Sequence, residues 1–249
     1  MLSALALDGL PEIGPGDDPA ELIAAAAPPE ALDDSTVVAV AHKVVSKSEG
    51  RVRALASIEP SKRALELAVT LGKDARHIQA VLDESRAVLR ASRGVLICVT
   101  HHGFVCANAG VDASNAPAAD TVVLLPQDPD ASARALRAEL RARTGASPAV
   151  VISDSFGRAW RHGQAEVAIG CAGLAPLEEW RGRLDAVGRE LHATWIAVAD
   201  QLAAAADLAR RKDSREPVVL VTGAERHITA ADGPGAAALI RPESEDLFR

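Results

Sequence analysis

Two lysines, Lys43 and Lys47, lie four residues apart where an apolar run of the sequence turns polar. The run TVVAVAHKVV at 36–45 is β-branched and apolar, which predicts a buried strand leading into a polar turn. Lysine carries a compact charge suited to phosphate, and the chain uses it sparingly, with 5 Lys against 22 Arg. The pair indicates a phosphate contact, although a solvated turn would also explain it.

A second polar segment is ANAGVDASN at 107–115, in which Asp112, Ser114 and Asn115 follow Gly110, a residue that allows many backbone conformations. Such a loop can offer a carboxylate to a hard cation and an amide to a nucleotide. A local Asx turn, in which these side chains bond only to their own backbone, is the plainer alternative.

A third segment, ISDSFGRAWRHGQ at 152–164, begins in the apolar strand AVVISD, which is predicted to end at Asp154. Strand ends are where functional groups collect in α/β sheets. Ser155 adds a hydroxyl, and Arg158 and Arg161 can serve oxyanions. Asp154 as a simple turn former is the alternative.

Together the three segments hold the groups that bind a metal-bound polyphosphate, because carboxylates hold the metal and cations neutralise phosphate oxygens. The usual phosphate motifs are absent: Gly72-Lys73-Asp74 lacks the remaining features of a P-loop, and no GxGxxG occurs. The sequence therefore predicts a nucleotide site of an uncommon kind.

A competing pattern, C-x2-H-H-x3-C, is formed by Cys98, His101, His102 and Cys106. These residue types bind zinc. The second ligand pair of a typical zinc finger is missing, however. The favoured interpretation is a hairpin in which the two cysteines are small core residues.

Composition limits the class of protein. A net charge of −7 disfavours a general nucleic-acid binder, and no apolar run reaches the roughly 18 residues of a membrane span. The N-terminus lacks the pattern of a signal peptide. Three cysteines without a CxxC motif favour reduced thiols in a cytoplasmic protein.

Helix and strand signals alternate without a strict βαβ rhythm, which predicts an α+β fold. We expect one domain over residues 1–249, possessing two lobes whose boundary the sequence does not fix. Helices are predicted at 21–27, 61–71, 128–144 and 196–211, with Gly72 ending the second of them. A further helix is predicted to be capped by Asp74 and to have an apolar face at 78, 81, 82, 88 and 89. Predicted strands are 36–45, 52–58, a hairpin over 94–110, 121–126, 149–154 and 217–223.

Several strings in the chain resemble the coenzyme F420 gamma-glutamyl ligase family, and they cover nearly its whole length. The most specific are VCANAGVDASN and SDSFGRAWRHGQ. Others are LPEIGPGDD, HKVVSKSEGRV, GKDARHIQAVLDES, LLPQDPDASARALR, RGRLDAVGREL, IAVADQLAAAADL and the closing IRPESEDLFR.

The resemblance implies GTP-dependent ligation of L-glutamate to the lactyl carboxylate of F420-0 through an acyl phosphate. Further gamma-linked glutamates can follow. It implies Mg²⁺ or Mn²⁺, with K⁺ as a further candidate ion. It also implies a mixed α/β fold with two lobes, an intertwined homodimer, and the stand-alone form of the family, without a C-terminal nitroreductase-like domain.

The resemblance also assigns roles to residues. Catalytic roles fall to Asp112, Asp154 and Lys47, and metal binding to Asp112, Asp154 and Ser155. Apart from the resemblance, Arg158, Arg161, Arg181 and Arg183 are candidates to bind the carboxylates of a growing acidic tail, because Arg pairs well with carboxylates. Arg181 and Arg183 as solvated surface charges are the alternative. The implied GTP site consists of Leu10, Pro11, Glu12, Ile13, His42, Lys43, Lys47 and Asn115.

The sequence departs from the family pattern at three places. Arg210-Arg211-Lys212 stands where the family often has Met-Gly and a polar residue, which puts any further metal at that loop in doubt. His42 replaces a more usual Gln or Ser, and His101 replaces a common Arg.

Two other functions fit the same residues. One is a metal-dependent phosphohydrolase, and the other is a nucleotide-binding module without catalysis. Phosphate release without glutamate would indicate the first, and nucleotide binding without turnover the second.

Overall fold

The computed structural model describes residues 1–246, so the end of the IRPESEDLFR string lies outside the described residues. The helices are α1 (Pro19–Ala26), α2 (His42–Ser48), α3 (Lys62–Leu71), α4 (Ala75–Asp83), α5 (Pro129–Thr144) and α6 (Val198–Ala209). The strands are β1 (Ser3–Ala6), β2 (Val37–Ala41), β3 (Val52–Ala54), β4 (Ser85–Ser92), β5 (Val95–Thr100), β6 (Val105–Ala107), β7 (Thr121–Val123), β8 (Ala149–Arg158), β9 (Arg161–Ala172), β10 (Leu177–Glu179), β11 (Trp195–Ala197) and β12 (Val218–Thr222). The predicted α+β class is confirmed. No helix within residues 1–246 has the length and apolar character needed to cross a bilayer.

A mixed five-stranded sheet carries the strands that bear the predicted site, in the order β1-β12-β2-β8-β9. Strands β2 and β8 are parallel and the other neighbours antiparallel. Helices α1 and α5 pack on one face and α6 on the other. Because both faces are covered, β2, β8 and β12 contain the continuous apolar runs that predicted buried strands.

A second core is built from residues between Leu55 and Leu124. There α3 and α4 pack with the antiparallel sheet β4-β5-β6. This separate core agrees with the expectation of two lobes. The assignment of residues 1–249 to one domain and the homodimer stay predictions.

Helix ends were the most accurate local predictions. Ser61 accepts a hydrogen bond from the Ala64 amide, and Gly72 ends α3 in the left-handed conformation. Asp74 caps α4 as predicted. Asp128, predicted as the first residue of a helix, is instead the cap of α5. The predicted hairpin is also confirmed, because β5 pairs with β6.

The prediction of a strand through 45 is wrong, because β2 ends at Ala41 and His42–Ser48 is helical. Val44 and Val45 favour a strand locally, but as part of a helix they pack into the core beside β2. Tertiary packing thus overrides a weak local preference. Lys43 and Lys47 consequently lie one helical turn apart on the same side of α2.

Two other boundaries differ from those predicted. Helix α4 ends at Asp83, so Val88 and Leu89 belong to β4 rather than to its apolar face. The segment 52–58 forms only the short strand β3, followed by a 3₁₀ turn at Leu55–Ser57. Short apolar runs do not distinguish helix from strand. Here the boundaries depend on strand pairing with residues distant in the sequence.

Strand β8 does not end at Asp154 as predicted but continues to Arg158 and returns as β9. Asp154 faces Val167, and Ser155 faces Glu166 across this hairpin. The outer half of the hairpin is exposed. It therefore lacks an apolar run like the one from which the inner half of β8 was predicted. Strand β9 was not predicted.

The cysteines at the candidate zinc pattern are core residues. Cys98 and Cys106 are free thiols, buried directly opposite each other on β5 and β6. The two histidines form hydrogen bonds with the backbone: His101 Nε2 with the Asp83 carbonyl oxygen, and His102 Nε2 with that of Pro126. In the described part of the chain, no cluster of three His, Cys, Asp or Glu side chains is arranged for a metal.

Gly110 is a tightly packed glycine two residues before Asp112. Its φ is +72°, and a Cβ there would lie 2.6 Å from Leu125 Cγ, whereas Gly50 has a φ of +69° and nothing within 4 Å. We expect Gly110→Ala to lower the free energy of unfolding by about 2–4 kcal/mol and Gly50→Ala by about 1–2 kcal/mol. Urea unfolding measures both values. Equal losses would contradict the close approach.

Candidate active site

The predicted site lies where parallel strands β2 and β8 run side by side, at the carboxyl end of β2. Ala41, the last residue of β2, is in register with Ser153 of β8. The next residues, His42 and Asp154, therefore meet, with Nε2 and Oδ1 3.4 Å apart. Beyond Ser153 the edge of β8 that faces α2 has no strand beside it within residues 1–246. An open strand edge leaves room for a ligand.

His42 is a buried neutral imidazole. Its Nδ1 is 3.2 Å from Ser46 Oγ one turn along α2. Burial, followed by the charge of Lys43, lowers the pKa of His42 to about 3. The ring is therefore uncharged at neutral pH, and its contact with Asp154 is not an ion pair. The Nε2 atom is buried without a hydrogen-bond partner among the described residues.

Asp154 is a half-buried carboxylate, 19% exposed, without an ion-pair partner among the Lys and Arg residues of 1–246. Burial is the largest cause that raises its pKa to about 7, and the nearby negative charges of Glu166 and Asp112 add to it. The Ser155 amide donates to Oδ1 at 2.8 Å. No Lys or Arg within residues 1–246 forms an ion pair with it. Such an uncompensated charge is a signature of functional sites.

The two lysines of α2 each hold a carboxylate from a different loop. Lys43 Nζ lies 2.5 Å from Asp112 Oδ2 and 2.9 Å from Ser114 Oγ. Lys47 Nζ donates to Glu12 Oε1. Burial alone would raise the pKa of Asp112, but the hydrogen bonds from Lys43 and Ser114 outweigh it and lower the pKa.

The other predicted nucleotide residues border this cluster at the surface. Ile13 is buried, and Leu10 packs against the same core as α2. Pro11 and Glu12 between them are exposed. Asn115 is also exposed and has a φ of +51°. Hence the loops at 10–13 and 112–115 both border α2, the first at Lys47 and the second at Lys43.

Glu166 is a residue of this site that the sequence analysis missed. It is 4% exposed, and the hydroxyls of Ser153 and Ser155 donate to its carboxylate. Arg210 Nη2 lies 3.3 Å from Oε2, and Lys212 Nζ lies 3.4 Å from Oε1. Burial opposes ionisation of Glu166, yet the two hydroxyls and the two cations lower its pKa. A lone acid inside the apolar run AEVAIG was the available signal.

Known proteins with similar sequences decide the family. A sequence model of the F420-0:gamma-glutamyl ligase family matches residues 9–223. The coenzyme F420:L-glutamate ligase of Methanothermobacter thermautotrophicus is 41% identical over 251 residues, covering 100% of this chain and 99% of the relative. The enzyme of that name from Methanopyrus kandleri is 44% identical over 240 residues, covering 96% and 94%. That from Haloarcula marismortui is 43% identical over 255 residues, covering 100% and 96%. The chain belongs to the F420-0:gamma-glutamyl ligase family.

Membership in the F420-0:gamma-glutamyl ligase family confirms the resemblance found in the sequence. It also confirms the prediction of an enzyme that forms carbon–nitrogen bonds, and it supports a role in F420 biosynthesis. The residue roles implied by the resemblance stay predictions, and the geometry now shows which of those residues meet.

The arginines proposed to bind an acidic tail make no hydrogen bond or ion pair with Lys43, Asp112 or Asp154 within the described residues. Arg158 donates to the His162 carbonyl oxygen at 2.7 Å near the tip of the β8–β9 hairpin, and Arg161 is exposed there. Arg181 pairs with Glu179 and lies over Trp195, and Arg183 lies over Trp180. These contacts favour a surface role for Arg181 and Arg183.

The carboxylates present fit one divalent cation of the kind implied for this family. Mg²⁺ usually takes one or two protein carboxylates and completes its shell with water and substrate phosphate. Asp112 and Asp154 supply two, and no Lys or Arg within the described residues pairs with Asp154. The hydroxyl of Ser155, also predicted as a ligand, is engaged by Glu166 and Lys212.

Proposed function

We propose that this chain is a GTP-dependent ligase that joins L-glutamate to the lactyl carboxylate of F420-0. The observation that carries the proposal is the pair Lys43 and Lys47 on one side of α2, facing acidic loops at the end of β2. Membership in the F420-0:gamma-glutamyl ligase family supplies the substrate class, as do the names of the relatives.

The lysines are the proposed phosphate contacts. Each ammonium is already bonded to a carboxylate, Asp112 or Glu12. Phosphate oxygens can replace those carboxylates with little change in the position of the lysines, because both side chains start from the rigid α2. The loop at 10–13 then borders the nucleotide, together with His42 and Asn115.

The proposed metal ligands are Asp112 and Asp154, with Ser155 beside them. A bound Mg²⁺ or Mn²⁺ supplies charge neutralisation for phosphate oxygens. If Asp112 held the metal, Lys43, which now donates to Asp112, would be free to contact the nucleotide. Metal and nucleotide binding are therefore expected to support each other.

The proposed reaction has two transfers. A carboxylate oxygen of F420-0 attacks the γ-phosphorus, the bond to the GDP oxygen breaks, and an acyl phosphate forms. The glutamate amine then attacks the acyl carbon, the carbon–oxygen bond to phosphate breaks, and the amine loses a proton. Lysine charge stabilises the transferring phosphoryl group, and the burial around His42 and Asp154 limits hydrolysis by water.

Further glutamates would use the same site, because no second cluster of this composition occurs in the described residues. The acceptor tail would shift as it grows, and Arg158 and Arg161 are the proposed contacts for its carboxylates. A homodimer is proposed from the resemblance alone. The three buried free thiols support a reducing, cytoplasmic compartment.

The proposal is tested by incubating the protein with GTP, Mg²⁺, F420-0 and glutamate. We expect GDP and phosphate to form in step with amide product, as measured by mass spectrometry. Hydroxylamine in place of glutamate should trap the acyl phosphate as a hydroxamate. Phosphate release without F420-0 would indicate a phosphohydrolase, and binding without any turnover would indicate a nucleotide-binding module.

A further inference from the structure

The Ser155–Glu166 cluster is a second group of hard oxygen donors beside the Asp112–Asp154 pair. Asp154 and Ser155 are successive residues of β8, so their side chains leave the strand on opposite faces. Both border the strand edge that opens beyond Ser153, where β2 ends. A polyphosphate at that edge would lie next to both groups.

The two groups differ in how their charge is balanced. Both carboxylate oxygens of Glu166 are in use, one by Ser153 and Arg210, the other by Ser155 and Lys212. Asp154 has no ammonium or guanidinium partner in the described chain. A divalent ion therefore finds an uncompensated carboxylate on the Asp154 side and a neutralised one on the Glu166 side.

Lys212 reaches its position from the segment between α6 and β12. The segment is held by Arg210, whose side chain is 9% exposed and donates to the Pro217 carbonyl oxygen at 3.0 Å. Two residues on, the Lys212 ammonium donates to Ser155 Oγ, while its side chain is 70% exposed. The ammonium thus enters the Ser155–Glu166 cluster from the solvent side.

We propose that the Lys212 ammonium occupies the cation position at Ser155 and Glu166, so that this enzyme binds one divalent ion per chain rather than two. Phosphoryl-transfer sites commonly place a second divalent ion at such donors. Here the Lys212 ammonium takes the place of the second divalent ion, and the one remaining ion binds at Asp112 and Asp154. This inference rests on the proposed nucleotide and metal site.

Lys43 is not equivalent, although it also holds a carboxylate. Within residues 1–246, Lys43 is the only Lys or Arg that pairs with Asp112 and none pairs with Asp154, so a metal that binds both carboxylates displaces one ammonium. At Glu166 a metal would also have to displace one ammonium, that of Lys212, but would gain only one carboxylate, whose other oxygen stays in contact with Arg210.

The test counts bound Mn²⁺ by electron paramagnetic resonance, in the presence of saturating GDP. We expect one Mn²⁺ per chain in the wild type and two in Lys212→Ala. The double variant Lys212→Ala with Ser155→Ala should return to one, because the second ion loses an oxygen ligand. Arg211→Ala, which removes the neighbouring exposed charge of the same segment, is the matched control and should keep one.

Two Mn²⁺ in the wild type, or one in Lys212→Ala, would overturn the inference while leaving the metal site at Asp112 and Asp154 in place. A wild type that binds no Mn²⁺ overturns both the inference and the metal part of the proposed function. Thermal unfolding checks that the variants fold; a lower midpoint is expected for the Lys212 variants, because the buried Glu166 loses a cation.

Discussion

Asp154→Asn is expected to lower the rate of amide formation by about 1,000-fold, equivalent to about 4 kcal/mol of activation barrier. The substitution keeps the shape of the side chain and removes the charge proposed to hold the divalent ion. Turnover is measured at saturating GTP, F420-0 and glutamate. If further glutamates are added at the same site, all products should decrease together.

The same substitution is expected to stabilise the metal-free protein. Burial raises the pKa of Asp154 to about 7, so at pH 8 the folded state holds a carboxylate that water would solvate better. A raised acid pKa means that stability is lost as pH rises from about 4 to about 7. At about 1.4 kcal/mol per pKa unit, the gain for Asn at pH 8 is at most about 4 kcal/mol.

Urea unfolding in EDTA at pH 4 and pH 8 measures this gain. The two proteins should be equally stable at pH 4, where Asp154 is protonated, and should differ at pH 8. Asp213→Asn, at an exposed carboxylate, is the control and should change neither activity nor stability. Normal turnover at saturating Mg²⁺ would remove Asp154 from the site, and a less stable variant would contradict its burial cost.

Lys47→Ala is expected to weaken GTP and GDP binding alike, by about 10- to 100-fold, as for loss of one hydrogen bond to a charged group. The ammonium leaves a helix fixed by the packing of Val44 and Val45, so it is held in place for phosphate oxygens. Because it does not contact the base in this proposal, the preference for guanine should remain. Calorimetric titration with GTP, GDP and ATP measures these affinities.

Two control variants accompany this prediction. Lys62→Ala removes an exposed lysine at the start of α3 and should leave nucleotide affinity unchanged. Glu12→Gln removes the carboxylate that Lys47 now holds while keeping the lysine, so the large loss seen for Lys47→Ala should not occur. Free acceptance of ATP by Lys47→Ala would show that this lysine reads the base instead.

Several features follow from the sequence because their causes are local. Ser61, Asp74 and Asp128 cap helices with their own side chains, and such contacts span only two or three residues. Buried strands β2, β8 and β12 were visible as continuous apolar runs. The groups for phosphate and metal were also visible as residue types, and the specific strings around Asp112 and Asp154 identified the family.

Other features depended on partners far away in the sequence. The segment at 42–48 is helical because its valines fill a core beside β2, and no local signal outweighed their preference for a strand. The outer part of β8 exists because β9 pairs with it. Its exposed residues carry no apolar pattern that would have predicted the hairpin.

The sequence alone determined which chemistry this chain can perform, whereas the tertiary structure decided which groups share a site. Lys212 and Ser155 are separated by 57 residues, and they meet because α6 packs on the sheet and β12 is one of its strands. The same holds for charge: Asp112 and Asp154 are equal in the sequence, but a lysine neighbour lowers the pKa of one and burial raises that of the other. Desolvation and charge pairing depend on three-dimensional proximity, which residue spacing along the chain does not specify.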